Sequence, residues 1–276
     1  PRFAADFTGK MPAAITHGPV LDRAQWIVCQ AAVWPDLARD TPFDRPKWHY
    51  VNFPVFLGYP DQQALSHRLT VNTSATWMPG MLDSRLNILQ ALDRITKTYA
   101  TRPMDERALQ LCWALHLVGD LHQPLHCAAL FDRDHFPEGD KGGNSLKVRT
   151  HRLQREPIAL HALWDQLLGR NLDLNAVKRR SQELLANAQN VKEAQSRMNQ
   201  LSPRNWAVEG ASYAAAYAYP PPLRHAIAYH PPLAPNGEIQ NLMLPEGYPQ
   251  AASFLVNLRA TVAGFRLAAY LERLVR

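Results

Sequence analysis

Residues 114–127 read ALHLVGDLHQPLHC, and this segment largely decides the fold and where the polar side chains meet. Apolar residues at helical spacing predict a helix over residues 105–121. His116 and Asp120 stand four residues apart in that helix and therefore project from the same face. A proline is expected to end or bend the helix just before His126. The segment therefore predicts a helix with a His/Asp pair near its end.

A second segment repeats this spacing. Residues 159–165 read ALHALWD, which places His161 and Asp165 four residues apart on another predicted helix. VWPD ends in Asp36 and WHYVNFP contains His49, each beside aromatic residues where a periodic pattern breaks. One His/Asp pair is usually a hydrogen-bonded surface pair, but two pairs with further donors favour a metal site. The candidate ligands are four imidazoles and three carboxylates: Asp36, His49, His116, Asp120, His126, His161 and Asp165.

The donor types indicate which metal is expected. Imidazole nitrogen and carboxylate oxygen suit zinc, which takes about four ligands and keeps an open position in catalytic sites. The candidate ligands are therefore enough for a pair of ions. Two divalent cations against three carboxylates leave about one net positive charge, which would attract a phosphate. Cys112, Trp113 and Trp164, which lie beside the candidate ligands, are interpreted as core residues.

Composition narrows the classes of protein. The 276 residues are 46% hydrophobic and 20% charged, which allows a sizeable core and excludes a disordered or fibrous chain. No run approaches the roughly 18 apolar residues of a membrane-spanning helix, and PRFAADFTGK at the start lacks the pattern of a signal peptide. A formal charge of +6 favours a polyanionic partner, although only a clustered basic face would indicate phosphate binding.

The apolar periodicity predicts a mainly α fold in a single domain covering residues 1–276. A helix over residues 25–38 is expected to break at Pro35, and Ser84 is expected to cap a leucine-rich helix. The remaining predictions are helices over residues 158–168, 174–196, 204–217 and 251–275, a loop over 131–144, an extended stretch at 146–148 and an irregular connection over 219–250.

Short motifs occur in a characteristic order along the chain. They are AAVWPD, WHYVN, HLVGDLHQPLH, GDKGGN and LHALWD, followed by WAVEGA near Trp206 and AGFRLAAYL near the end. Taken alone, DKGGN at residues 140–144 would be an ordinary glycine turn, and it matches no nucleotide-binding fingerprint. In this order, the series resembles the zinc-dependent nuclease family of fungal single-strand-specific and plant bifunctional nucleases, which is related to bacterial zinc phospholipases C.

This resemblance implies a fold, an activity and a location. The fold is a helical domain of the phospholipase C/nuclease type, with three zinc ions at the bottom of a cleft. The activity is cleavage of single-stranded DNA and RNA to 5'-nucleotides, together with removal of 3'-phosphates from 3'-nucleotides. The resemblance implies a secreted or periplasmic protein with no membrane span and no obligate protein partner.

The resemblance also distributes the ligands among the ions. Matched motif by motif, one zinc takes Asp36, His49, His116 and Asp120, and a second takes His126, His161 and Asp165. Asp120 also bridges to a third zinc, whose other ligands in the family are an amino-terminal Trp and a His a few residues later. This chain begins with Pro1 and has no Trp or suitably placed His before His17. We therefore expect an incomplete N-terminal segment and an incomplete third zinc site.

Further residues are expected to act in metal-assisted phosphodiester hydrolysis. Asp120 would orient the attacking water, and Arg39 matches a basic position that the family uses near the phosphate. Tyr50, which follows His49, would stack on a base, with Asn52 and Asn144 as hydrogen-bonding groups. Two alternatives stay open: a phospholipase C-type hydrolase with the same metals, and a non-catalytic metal-binding homologue without the third zinc.

Overall fold

A computed structural model describes residues 11, 13–171, 173–233 and 237–276. Helices dominate over strands in this part of the chain, so the prediction of a mainly α fold is confirmed. Among the described residues, no helix has the length and apolar character needed to cross a bilayer. In chain order the helices are α1 (Ala13–Thr16), α2 (Val20–Leu37), α3 (Tyr59–Leu65), α4 (Ile88–Thr98), α5 (Met104–Asp120), α6 (Leu160–Gln166), α7 (Leu174–Ala186), α8 (Ala188–Arg197), α9 (Pro203–Tyr213), α10 (Pro221–Ala228) and α11 (Tyr248–Val275).

Short strands form two small sheets. The strands are β1 (Phe53–Phe56), β2 (Ala128–Phe131), β3 (Leu146–Arg149), β4 (Ile158–Ala159) and β5 (Ile239–Met243). β1 pairs in parallel with β2, with Phe53 opposite Ala128, while β3 lies between antiparallel β4 and parallel β5. β3 confirms the predicted extended stretch. The other strands were not predicted. They are only two to five residues long, and strands this short show no clear alternation of apolar and polar residues.

Helix α5 confirms the central prediction to within one residue at each end. Asp105 and Glu106 lie in its first turn, where negative charge is favourable at a helix N-terminus. Trp113 and Leu117 are buried on its apolar face, in a cluster with residues of α4. Helices α2 and α11 also pack against α5. These contacts hold the last turn of α5, which ends at Asp120, inside the packed helices.

Two predicted helix boundaries are wrong. Helix α2 continues through Pro35 to Leu37, because a proline in the last turn removes only one main-chain hydrogen bond. Helix α4 is capped by Asn87 and not by Ser84, which lies in a separate 3-10 turn. The Asn87 side chain accepts from the Gln90 amide at 3.0 Å, and the Gln90 side chain accepts from the Asn87 amide at 3.2 Å. This reciprocal pair is a capping box, and Asn-x-x-Gln is its sequence signal.

Two longer predictions are also corrected. The helix predicted over residues 174–196 is two helices, α7 and α8, because Asn187 ends the first and caps the second with its side chain. The connection 219–250 contains helix α10 and strand β5 in addition to irregular chain. Within the helix predicted over residues 204–217, α9 passes into a π-helical turn, Ala214–Ala218.

The pairing of β1 with β2 brings two distant parts of the chain together. Val51 donates its amide hydrogen to the carbonyl of His126 at 2.9 Å, and Phe53 donates to the carbonyl of Cys127 at 3.0 Å. These hydrogen bonds align the chain after His49 with the chain that follows α5. Histidines far apart in sequence therefore become neighbours.

Candidate metal centre and cleft

The first group of candidate ligands lies where α2, α5 and the segment before β1 meet. Asp36, His49 and His116 each offer a ligand atom, and these atoms lie within 4.8 Å of one another. Nδ1 of His49 is 2.9 Å from Nε2 of His116 and 4.0 Å from Oδ1 of Asp36. Oδ2 of Asp120 lies 3.2 Å from each of these two histidine nitrogens. The four side chains predicted to hold one ion are therefore adjacent.

The second group combines a turn after α5 with helix α6. His126, His161 and Asp165 also offer ligand atoms within 4.8 Å of one another. The Nε2 atoms of His126 and His161 are 3.2 Å apart. Oxygens of Asp165 lie 3.6 Å from Nε2 of His161 and 3.8 Å from Nε2 of His126. Gln123, which was not predicted, donates to Oδ1 of Asp165 at 3.0 Å and so orients this carboxylate.

Main-chain carbonyls orient three of the imidazoles. In each of them Nδ1 lies 2.7 Å from a carbonyl oxygen. A carbonyl only accepts, so Nδ1 carries a hydrogen, and in the neutral ring Nε2 then presents its lone pair. When both rings are neutral, the facing Nε2 atoms of His126 and His161 are two acceptors, and a cation between them, a proton or a metal ion, resolves this arrangement. The pairs are His116 with Ala32, His126 with His49, and His161 with Gly142.

The carboxylates make this centre favourable for positive charge. Burial opposes the charged form of His126, but Asp120 and Asp165 outweigh it and raise the pKa of His126 to about 9. Burial would also raise the pKa of Asp120, but His126 and His116 hold that pKa well below its ordinary range. Both shifts favour positive charge at this centre, and the imidazole and carboxylate atoms, which lie within 4.8 Å of one another in each group, fit a metal ion.

The glycine turn at residues 139–144 holds the second group in place. Lys141, Gly142 and Gly143 all have left-handed backbone, with φ of 60°, 61° and 83°. A Cβ on Gly142 would lie 2.5 Å from the carbonyl oxygen of Leu125, so glycine is required there. The turn predicted from DKGGN is therefore also the element that presents a carbonyl to the second group.

A buried carboxylate fixes the shape of this turn. Asp140 accepts hydrogen bonds from the amides of Leu130 and Gly143, at 2.9 and 3.0 Å, and from the Tyr219 hydroxyl at 2.8 Å. Burial outweighs these donors and raises the pKa of Asp140 to about 6. The carboxylate thereby ties the turn to β2 and to the chain after the π-helical turn.

Both groups open into one cleft with a volume of about 1110 Å³. Arg39, whose side chain is 74% exposed, lies at this cleft with its guanidinium 3.3 Å from Oδ1 of Asp36. Tyr50 is 37% exposed. The predicted site residues that line the cleft are Asp36, Arg39, His49, Tyr50, Asn52, Asp120, His126, Asn144, His161 and Asp165. His116 completes the first group without lining the cleft.

A buried charged cluster at the end of α5 was not predicted. Arg259 and Arg266 of α11 are 2% and 1% exposed, and both form salt bridges with Glu209 of α9. Arg259 also donates to the carbonyls of Leu121 and His122 at 3.2 Å. The motifs WAVEGA and AGFRLAAYL contain Glu209 and Arg266, but helical periodicity alone carries no signal that such charges are buried.

Of the seven histidines that are not candidate ligands, five are exposed or partly exposed. His122 and His135 are buried instead, and Nε2 of His122 lies 3.1 Å from the guanidinium of Arg266. The prediction about a third zinc site concerns the first residues of the chain, which lie outside the described residues. His17 is exposed between α1 and α2 and does not line the cleft.

These features define a mainly helical protein with a candidate two-metal centre in an open cleft. The chain belongs to the S1/P1 nuclease family, whose model matches residues 14–276. It is 38% identical over 58 residues to Endonuclease 4 of Arabidopsis thaliana, covering 21% of this chain and 16% of that protein. It is 25% identical over 136 residues to Endonuclease 3 of the same plant, covering 49% of this chain and 40% of that protein. The matched part is therefore less than half of either relative.

Proposed function

We propose that the chain folds as one domain and is a zinc-dependent phosphodiesterase. In this proposal it hydrolyses single-stranded DNA and RNA to 5'-nucleotides and removes 3'-phosphates from nucleotides, in a secreted or periplasmic setting. The observation that carries the proposal is the pair of His/Asp groups joined through His49 in a cleft that Tyr50 also lines. Membership of the family and relatives named as endonucleases support a nucleic-acid substrate.

The donor chemistry supports zinc. Each group combines imidazole nitrogen with carboxylate oxygen and contains no cysteine. Magnesium and calcium prefer oxygen ligands throughout, whereas zinc accepts this mixture. When bound, zinc supplies Lewis-acid charge at the phosphate and makes water acidic enough to attack near neutral pH. Asp36, Asp120 and Asp165 balance most of the charge of two such ions and leave about one positive charge for the substrate.

Asp120 is the residue proposed to orient the attacking water. Its Oδ2 lies between His49 and His116, and its side chain is 14% exposed. Among the described residues, none hydrogen-bonds its Oδ1, which leaves that oxygen to accept from water. Arg39 is proposed to contact the phosphate, because its exposed guanidinium can form two parallel hydrogen bonds to phosphate oxygens.

Base recognition is assigned to the polar and aromatic groups beside the centre. The ring of Tyr50 is exposed enough to stack on an unpaired base. Asn52 offers an amide at the same wall of the cleft. Asn144 donates one amide hydrogen to the carbonyl of Lys141 at 2.9 Å and keeps its other polar groups for a base. Stacking tolerates many sequences, which agrees with a nuclease of low specificity.

A substrate comparison tests this proposal. Zinc-loaded protein is incubated with single-stranded DNA, RNA, a 3'-nucleotide and phosphatidylcholine, and products are identified by mass. We expect 5'-phosphorylated nucleotides and free phosphate from the 3'-nucleotide. Lipid turnover without nucleic-acid cleavage would instead identify a phospholipase C-type hydrolase, and no turnover of any substrate would identify a non-catalytic homologue.

A matched pair of variants tests the assigned residues. Asp120→Asn should lower turnover about 100-fold or more, because it removes a charge from the centre and the acceptor for water. Asp105→Asn, which changes an exposed aspartate of the same helix, is the control. Equal activity of the two variants would contradict the role of Asp120. Elemental analysis of the wild type that finds no zinc would contradict the metal assignment.

A further inference from the structure

A second groove joins the cleft at Tyr50 and Asn52, which line both. Its volume is about 520 Å³, within the range of about 300–1,000 Å³ that is usual for ligand sites. Its walls come from the 3-10 turns Pro46–His49 and Asp83–Arg85, from residues 65–72, and from Pro137 and Glu138 before the glycine turn. The groove therefore adjoins the candidate metal cleft at Tyr50.

The groove carries basic side chains that are not neutralised. Lys47, Arg68 and Arg85 line it, and all three are exposed. Within the described part of the chain, none of the three forms a salt bridge. Glu138 is the one acidic residue among those that line the groove, which leaves an excess of positive charge. By contrast, Lys97, on the nearby α4, is paired with an aspartate at 2.7 Å.

We propose that this groove binds the sugar-phosphate backbone of a single-stranded nucleic acid, adjoining the nucleotide held at the metal cleft. Lys47, Arg68 and Arg85 are the phosphate contacts. This inference rests on the proposed function, because the same strand must occupy both sites. A positively charged groove beside a stacking aromatic ring is the arrangement with which proteins track a single strand.

The position of Tyr50 makes the groove suited to single strands. The ring stands where the cleft and the groove meet, so a strand that crosses from one to the other passes it. A base can stack on the ring there only if it is released from its complementary strand. The groove therefore adds affinity for long single strands over mononucleotides, with little dependence on sequence.

Salt dependence provides a quantitative test. For single strands, each neutralised phosphate adds about 0.7 to the slope of log affinity against log salt, so three contacts add about 2. The variant Lys47→Ala/Arg68→Ala/Arg85→Ala is compared with Arg152→Ala/Arg179→Ala/Lys192→Ala, which removes the same charge from exposed positions outside the cleft and groove. For each protein, kcat/KM is measured on an oligothymidine of about 12 nucleotides between about 50 and 200 mM salt.

We expect the groove variant to lose most of this salt dependence. Over a fourfold rise in salt, kcat/KM of the wild type and of the control variant should fall about 18-fold more than that of the groove variant. The ratio of kcat/KM for the oligonucleotide to that for a 3'-nucleotide should also fall. An equal slope in the groove and control variants would overturn the inference.

Two further measurements make the test independent of folding and of turnover: a variant that is expected to strengthen binding, and a binding assay. Glu138→Gln should increase affinity for the oligonucleotide and steepen its salt dependence, because it removes the negative charge in the groove. A wild type that binds labelled oligothymidine by fluorescence anisotropy but never cleaves it would refute the proposed function. The groove inference would survive that result if the groove variant loses binding, and it would fail if the variant binds like the control.

Discussion

The main-chain carbonyl of His49 accepts a hydrogen bond from Nδ1 of His126 at 2.7 Å, while Nδ1 of His49 lies 2.9 Å from Nε2 of His116. One residue therefore takes part in both candidate ligand groups, with its ring in the first and its main chain orienting the second. This link is possible because β1 and β2 pair directly after the two histidines. The ring and the main chain of His49 can be tested separately, since a side-chain substitution removes the ring and leaves the carbonyl in place.

Replacing His49 by Ala should affect the first ion far more than the second. The variant removes one donor of the first group, whereas the hydrogen bond that orients His126 remains. Zinc content should fall from about two ions per chain to about one, because the first group loses one of its two imidazoles while the second group keeps all its ligands. Elemental analysis measures this, with His67→Ala as an exposed control. Loss of both ions, or of neither, would contradict the division into two groups.

Gly142→Ala should destabilise the fold and disturb His161. A left-handed backbone costs a residue other than glycine about 1–2 kcal/mol, and the new Cβ would lie 2.5 Å from the Leu125 carbonyl. Gly247→Ala is the matched control, because Gly247 has φ of 76° and nothing within 4 Å of its Cβ position. Denaturant unfolding should show a loss of about 3 kcal/mol or more for the first variant and about 1–2 kcal/mol for the second. Similar losses would show that the contact with Leu125 has no effect.

Tyr50→Ala should weaken the use of oligonucleotides. A base stacked on an aromatic ring contributes about 1–3 kcal/mol, which corresponds to about a 5- to 150-fold loss in kcat/KM. Tyr50→Phe keeps the ring and should retain most of the activity. Steady-state kinetics on single-stranded DNA measures both, with Tyr229→Ala, at an exposed position outside the cleft, as the control. If Tyr50→Ala has the kcat/KM of Tyr229→Ala, Tyr50 does not stack on the substrate.

The buried salt bridges of Glu209 should make stability depend on pH. Burial alone would raise its pKa, but Arg266 and Arg259 outweigh burial and lower the pKa of Glu209 to about 2, from an ordinary value of 4.5. A depressed pKa stabilises the folded protein above the unfolded value and loses that effect as the pH falls from about 4.5 to about 2. The difference of about 2.5 pKa units corresponds to roughly 3 kcal/mol.

The variant Glu209→Gln isolates this contribution. At pH 6 the free energy of unfolding of the wild type should exceed that of the variant by about 3 kcal/mol. The difference should shrink as the pH falls below about 4.5, because the unfolded wild type then binds a proton that the folded protein does not bind until about pH 2. Denaturant unfolding of both proteins across this pH range measures it. A difference that does not change with pH would mean that folding does not lower the pKa of Glu209, which would contradict this prediction.

Local spacing was enough to predict most of the candidate ligands. Residues four apart on a helix share a face whatever the rest of the chain does, so His116 with Asp120 and His161 with Asp165 could be predicted as pairs. Helix α5 could also be predicted from local spacing, because all residues of its apolar face lie in one continuous segment of the sequence. The glycine turn was also recognisable, since its backbone requires residues without a side chain.

Other features depend on partners that local spacing does not specify. Helix α11 was predicted from its apolar periodicity, yet its buried face includes Arg259 and Arg266, while Leu258 and Phe265 are only partly buried. The arginines can be buried because Glu209 of α9 meets them there. A helical period identifies a face but not the residue that will oppose it.

The amino-acid sequence by itself determined the mainly helical fold, the His/Asp pairs and the chemical type of the donors, because these depend on spacing within single segments. Only the tertiary structure decided that Nε2 of His126 lies 3.2 Å from Nε2 of His161, and that the carbonyl of His49 holds His126 in that orientation. It also decided that the basic groove adjoins the cleft at Tyr50. These relationships join segments that are distant in the chain, and packing and main-chain hydrogen bonds alone set the distances between them.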